Sequence, residues 1–511
     1  MSGLPVIDIV VIVVYFAAVM TIGLVTAKKV TNQKDFYIGG RSFGKFLVMM
    51  QQFGAGTSNT HPILVAGAVY TYGMAGIWYS WLYMLFMPFL FVLLPLIRRL
   101  RIYTTADFFD LRYSKGLSPF FAISCLASVS VATGTILIGM GQVVEGITGG
   151  GVDKNYTVLI TGVVGLVYGA AGGMIAAALT DVIQGVLIII LSFMLVPPMW
   201  IKAGGMSGLH EVLPAAKFSL AMPAGGDPAT SITLFAIFML FINGMLGNLA
   251  EGTVQTLQAA KDERTLQWGN LFGAMMKRLC TVGWALVGLF AIAIWPNLKD
   301  PEMCFGMAAR EFLPAGFSGL MIAAMFAAGM STVSALQVIA SAIFSRNIYA
   351  KYMIKNAPDK HYLLVARLSG VGLVLAGLFV AYQFTSVTKS VEFWWKLTAM
   401  VGPSMMIGLF FRRGNSWGAW ASIIVSFVIW WYADTFMGAS DPKWKTVWYQ
   451  SALYIPAGVA AYFAVSLLTK PENEQKLARF YARVNTPVGQ EQIIIDAGLE
   501  DHPEEIMPHQ K

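Results

Sequence analysis

The chain has 511 residues, of which 57% are hydrophobic and 12% charged, with a formal net charge of +8. That is too apolar for a water-soluble domain of this length, and it marks an integral membrane protein. Cys125, Cys280 and Cys304 are odd in number and dispersed, which supports neither a disulfide framework nor a metal site. The chain shows no soluble kinase, nuclease or hydrolase module.

A membrane helix needs about 20 apolar residues. Runs of that kind predict about thirteen crossings, at 6–27, 46–72, 76–97, 117–145, 156–172, 174–201, 231–254, 268–294, 316–345, 363–385, 391–411, 416–435 and 450–469. The first ends in Lys28-Lys29 without a cleavage site, so it reads as a retained helix. The transmembrane domain then occupies 1–469, and 470–511 form a polar tail.

The second run is interrupted at its middle by "GAGTSNTHP", Gly54 to Pro62, and the seventh by Asn243, Gly244, Gly247, Asn248 and Gly252. Interrupted segments at corresponding places in two halves point to a transporter site at an inverted-repeat interface. Runs two to six (46–201) and seven to eleven (231–411) give two repeats of five, each opening with its broken helix. Ser58, Asn59 and His61 follow the first break, and Asn243 and Asn248 flank the second, so these are candidate solute contacts.

Lys and Arg concentrate in alternate loops, for example Arg98, Arg99, Arg101, Lys261, Arg264, Lys277, Arg278, Arg412 and Arg413. Cytoplasmic loops carry such an excess. The N-terminus is therefore expected outside and the tail in the cytoplasm, with the positive charge a topology signal and no sign of nucleic-acid binding. Compact loops favour a bacterial inner membrane, and a monomer is expected.

In "AAGMSTVSALQVIASAIFSRNIY", Ala328, Ser331, Thr332 and Ala335 fall on one helical stripe. A lone serine or threonine in such a helix usually bonds a carbonyl one turn back. Two adjacent hydroxyls beside small residues suit a weakly held cation whose other ligands are carbonyls freed at a broken helix. Asp181, in "LTDVIQ", is an intramembrane carboxylate and functional by default.

That stripe, together with "KDFYIGGRSFG", "GGMIAAALTDVIQG", "VQTLQAAKDERTLQWG" and "PSMMIGLFFRRGNSWGAWASIIV", resembles the solute:sodium symporter family over roughly residues 35–430. The resemblance implies an all-α membrane protein with the leucine-transporter inverted-repeat fold, its first and sixth core helices broken, and Na+ as coupling ion. It implies sodium ligands at the carbonyls of Gly54, Thr57 and Ala328 and the hydroxyls of Ser331 and Thr332. Some members bind a second sodium with the aspartate matching Asp181 and two consecutive serines. Here the first is Ser334 and the second is replaced by Ala335.

By the same resemblance, His61 and Lys277 fall at sugar-contacting positions. Ser80 replaces a larger polar residue, Ala250 an asparagine and Thr256 an arginine. The leading expectation is sodium-coupled import of a sugar or polyol, with a carboxylate or amino acid as the alternative. A solute sensor or passive channel built on the same bundle is a weaker alternative, and no enzymatic constellation is present. Helix adjacency also suggests Glu251 as a gate partner of Lys277 or Arg278.

Overall fold

The breaks and apolar runs of the sequence become a bundle of helices in the computed structural model, which describes residues 5–27, 33–113, 116–222, 231–250 and 254–499. Among the described residues, extended pairing is limited to two isolated bridges, Phe43 to Ala260 and Met222 to Thr233.

The first half contains α1 (Val6–Ala27), α2 (Lys45–Ala55), α3 (Thr60–Tyr72), α4 (Trp78–Arg99), α5 (Thr105–Arg112), α6 (Leu117–Thr148) and α7 (Lys154–Met194). The second half contains α8 (Leu234–Ala250), α9 (Val254–Gln258), α10 (Glu263–Ile294), α11 (Cys304–Phe312), α12 (Phe317–Ala342), α13 (Asp359–Ala381) and α14 (Val387–Phe410). α15 (Ser416–Tyr432), α16 (Val447–Leu468) and α17 (Glu474–Asn485) complete it. Side-chain caps fix several starts: Thr104 and Asp107 form a capping box on α5, and Asp262 and Asn415 cap α10 and α15.

Helix is found in every expected run, and by length and hydropathy eight stretches among the described residues qualify as membrane spans. The number is lower than thirteen partly because parts of α1, α7 and α8 lie outside the residues whose side chains are described, and partly for a physical reason. Broken helices yield pieces such as α2 that are too short alone, and α3 and α4 join through a tight 3-10 turn into one stretch. Lys154–Met194 is assigned as a single helix of 41 residues, although two runs were expected there. Val164 packs against Met330, while Asp181 meets the adjacent Ser331. On a straight helix residues 164 and 181 would lie about 25 Å apart. The chain therefore doubles back within α7, as two antiparallel crossings would.

α12 is the most enclosed span, packed by α1, α6, α7 and α13. By contrast, α15 and α16 turn Trp417, Ile424, Phe427, Trp431 and Leu467 outward, as lipid-facing helices do.

The basic loop residues gather at one end of the bundle. Arg98 donates to the Ala260 carbonyl (2.9 Å), Arg99 forks onto Glu263 (2.9 Å), and Arg112 donates to the carbonyls of Gly408 (2.8 Å) and Phe411 (2.9 Å). The tail, expected only as a polar extension, docks on this basic end as far as it is described. Leu477, Phe480 and Val484 of α17 are buried, and Glu491 pairs with the buried Arg101 at 3.0 Å. Residues 500–511 lie outside the described residues.

Candidate functional site

α2 stops at Ala55, and α3 starts at Thr60 with Thr57 and Ser58 non-helical between them, so the expected first break is present. Pro62 enters at the third position of α3, where its missing N–H costs nothing. The second expected break is described only in part: α8 runs helically through Asn243, Gly244, Gly247 and Asn248 to Ala250, and α9 begins at Val254. These glycines serve close packing instead: a Cβ on Gly247 would lie 2.7 Å from the Thr398 hydroxyl. Glu251, Gly252 and the Ala250 side chain lie outside the described residues, so the Glu251 gate pairing does too.

At the first break, three elements bring oxygen atoms together. Gly54 lets α7 approach closely, since a Cβ there would sit 2.8 Å from Asp181 Cβ. The Ser331 hydroxyl donates to Asp181 Oδ1. Thr332 Oγ1 lies 3.2 Å from the carbonyl oxygens of both Ala55 and Ala328. The Gly54 carbonyl accepts the Thr57 N–H at 3.0 Å, and the carbonyl of the break that Thr332 meets is that of Ala55. The Thr57 hydroxyl is buried without a hydrogen-bond partner among the described residues. Ser334 bonds the Met330 carbonyl one turn back at 2.8 Å, the ordinary arrangement for a membrane serine.

Beside this cluster lies a cavity of about 260 Å³, and Thr332 lines it. Ser58, His61, Ser80, Asn243, Asn248 and Lys277 also line it, as does Thr256. The Lys277 ammonium meets His61 Nε2 at 2.6 Å and the Gly56 carbonyl at the open end of α2. His61 is oriented from the other side by the Ser58 N–H, 3.1 Å from Nδ1. Ser80 and Thr281 hydroxyls are 3.0 Å apart, and Asn243 donates to Tyr454 Oη (2.6 Å) and Ser451 Oγ (3.0 Å) on α16.

Asn59 departs from the expectation. It is fully buried away from the cavity, and its amide donates to the Ile136 carbonyl at 2.9 Å, tying the break to α6. A residue in the break can face either the cavity or the packed bundle, and spacing alone does not distinguish the two.

Sequence reasoning missed Arg278 and Glu392. Arg278, read with Lys277 as a loop anchor, is a buried cavity-lining residue whose guanidinium lies 4.7 Å from the centroid of the Tyr83 ring. Glu392 on α14 accepts the Tyr79 hydroxyl at 2.6 Å, and Tyr79 lines the cavity. For Arg278 the available signal was a charge several residues inside an apolar run, whereas Glu392 stands at the very start of its run, 391–411.

The family profile described as "SSF: Sodium:solute symporter family" matches residues 36–426. The chain belongs to the sodium:solute symporter family. The osmoregulated proline transporter OpuE of Bacillus subtilis (strain 168) is 26% identical, aligned over 81% of this chain and 85% of its own. The sodium/glucose cotransporter of Vibrio parahaemolyticus is 25% identical, over 83% of this chain and 84% of its own. The substrate-bound, outward-open structure of a Na+-coupled sialic acid symporter superposes with a TM-score of 0.78 at 18% identity, covering 91% of this chain and 99% of that one, which shows a common fold. This symporter is thus an integral membrane protein that couples Na+ to uptake of a small solute.

Proposed function

We propose that this symporter imports a small solute bearing a carboxylate, such as an amino acid, with Lys277 as its counter-charge and Arg278 beside it. The observation that carries this reading is that both cations line the cavity onto which Thr332 opens. A cationic site in a low-dielectric bundle favours a charged group that pairs with it over a neutral one. The relative named as a proline transporter supports the same direction, since proline carries a carboxylate.

Ser58, His61, Ser80, Asn243 and Asn248 supply neutral hydrogen bonds to the rest of the solute. That set also supports a second reading, a sugar or polyol, and the relative named as a glucose cotransporter favours it.

One sodium ion is held where α2 breaks, by the hydroxyls of Ser331 and Thr332 and by carbonyls drawn from Gly54, Ala55, Thr57 and Ala328. Asp181 orients Ser331. A second ion on Asp181 and Ser334 would first have to displace the bond from Ser334 to Met330. We further propose that the basic end faces the cytoplasm, with the N-terminus outside, and that 46–201 and 231–411 are the inverted repeats. A monomer in a bacterial inner membrane is the proposed setting.

The test is the thermal stability of the purified protein with amino acids, carboxylates, sugars and polyols, each in sodium and in equal potassium. A ligand of the native state stabilises it by RT ln(1 + [L]/Kd). Carboxylated solutes should stabilise in sodium only, and Lys277→Gln should remove that effect. Stabilisation by neutral sugars that survives Lys277→Gln would favour the second reading.

A further inference from the structure

Lys277 and Arg278 are consecutive on α10, so their side chains leave the helix about 100° apart and reach different parts of the cavity. Lys277 turns to the break, where its ammonium meets His61 and the Gly56 carbonyl. Arg278 turns to α4, where its guanidinium lies 4.7 Å from the centroid of the Tyr83 ring. A ring satisfies the face of a guanidinium but not its in-plane N–H donors.

Among the described residues, Arg278 Nε is buried without a hydrogen-bond partner, and so is Gln52 Nε2 on α2. Asn270 stands between the two, accepting from Tyr83 Oη and donating to Gln52 Oε1, both at 3.4 Å. All four of these side chains line the cavity. Gln52 precedes Gly56 by four residues, about 6 Å along α2 toward the basic end. Buried donors left unmade are costly. The cavity therefore offers an anionic group two places, Lys277 at the break and Arg278 with Gln52 about one turn nearer the basic end.

We propose that the solute carries a second carboxylate, received by Arg278 and Gln52 while Lys277 holds the first. The inference rests on the carboxylate reading of the cavity and narrows it. A guanidinium fork matches a carboxylate, and two carboxylates joined by a short carbon chain span one helical turn. They also balance two cations in a low-dielectric wall. The driving force then selects within the class. With one sodium, a dianion carries net negative charge inward, and about 100 mV opposes that by more than a tenfold sodium gradient supplies. An acidic amino acid, whose ammonium leaves one net negative charge, enters with sodium electroneutrally. The class is therefore an acidic amino acid, such as aspartate or glutamate.

The test is the thermal stability of the purified protein titrated with aspartate, glutamate, asparagine and proline, each in sodium and in equal potassium, which gives an apparent Kd for each. Aspartate or glutamate should bind about tenfold or more tightly than asparagine, and in sodium only. Arg278→Gln should remove that advantage and leave the asparagine Kd unchanged. Gln52→Ala, the variant to read if Arg278→Gln does not fold, should reduce it severalfold. Variants that lower the ligand-free melting temperature yet keep the acidic advantage would overturn the second subsite. So would asparagine or proline binding as tightly as the acids, an outcome that leaves the single-carboxylate reading standing. Silence from all four amino acids would overturn the acidic class, and neutral sugars stabilising in their place would take the carboxylate reading with it.

Discussion

Ser331 and Thr332 are adjacent in sequence, yet their hydroxyls have different partners, one on Asp181 of α7 and the other between the Ala55 and Ala328 carbonyls. That division is what an ion site needs, since ligands must arrive from several elements at once. Replacing either with alanine should raise the sodium concentration for half-maximal uptake at least severalfold, with expression retained; sodium titration of transport checks it. The hydroxyl stripe and Asp181 were legible because polar groups in a membrane helix stand out against their neighbours. The Ala55 carbonyl was not, because backbone atoms carry no sequence signal. Gly54 shows how tightly the site is built. Gly54→Ala should cost about 1–3 kcal/mol through overpacking against Asp181, read as a lowered melting temperature, with weakened sodium stabilisation of the protein that remains folded.

At the scale of elements, the break between α2 and α3 could be read directly from "GAGTSNTHP", where glycines, a proline and short polar side chains coincide. Of the second expected break, Asn243, Gly244, Gly247 and Asn248 sit inside an intact helix that uses Gly247 to approach α14, while Gly252 lies outside the described residues. Glycine signals either a break or a close contact, and only packing decides between them. The tail was legible as a polar segment but its docking was not, since its anchors are single residues scattered along it. Phe480 packs edge-on against Phe108, and Arg101, held at a positive φ, binds Glu491 and the carbonyls of Thr486 and Pro487. Removing one partner of a buried ion pair is costly, about 3–5 kcal/mol locally. Glu491→Gln should therefore free the segment 474–499, detected as faster amide exchange there, while exchange in α12 stays unchanged.

The whole molecule places the oxygen cluster and the cationic cavity side by side, with Thr332 common to both, so under the proposed sites sodium and solute would each shape the other's surroundings. Coupling of this kind is reciprocal in binding free energy. It also has an electrical consequence. A tenfold sodium gradient is worth about 1.4 kcal/mol and 100 mV about 2.3 kcal/mol per charge. One sodium with a net-neutral amino acid could support roughly 500-fold accumulation, whereas one sodium with a monoanion moves no net charge and is limited to about tenfold. Dependence of uptake on membrane potential therefore separates these two kinds of carboxylated solute. The most direct measurement is accumulation of a stabilising solute in proteoliposomes under an inward sodium gradient, compared with an equal potassium gradient and with Ser331→Ala. Accumulation above the external concentration that needs sodium and is lost or strongly reduced in Ser331→Ala is the predicted result. Equal accumulation in potassium, or full sodium dependence preserved in Ser331→Ala and Thr332→Ala alike, would contradict a sodium site at the broken helix.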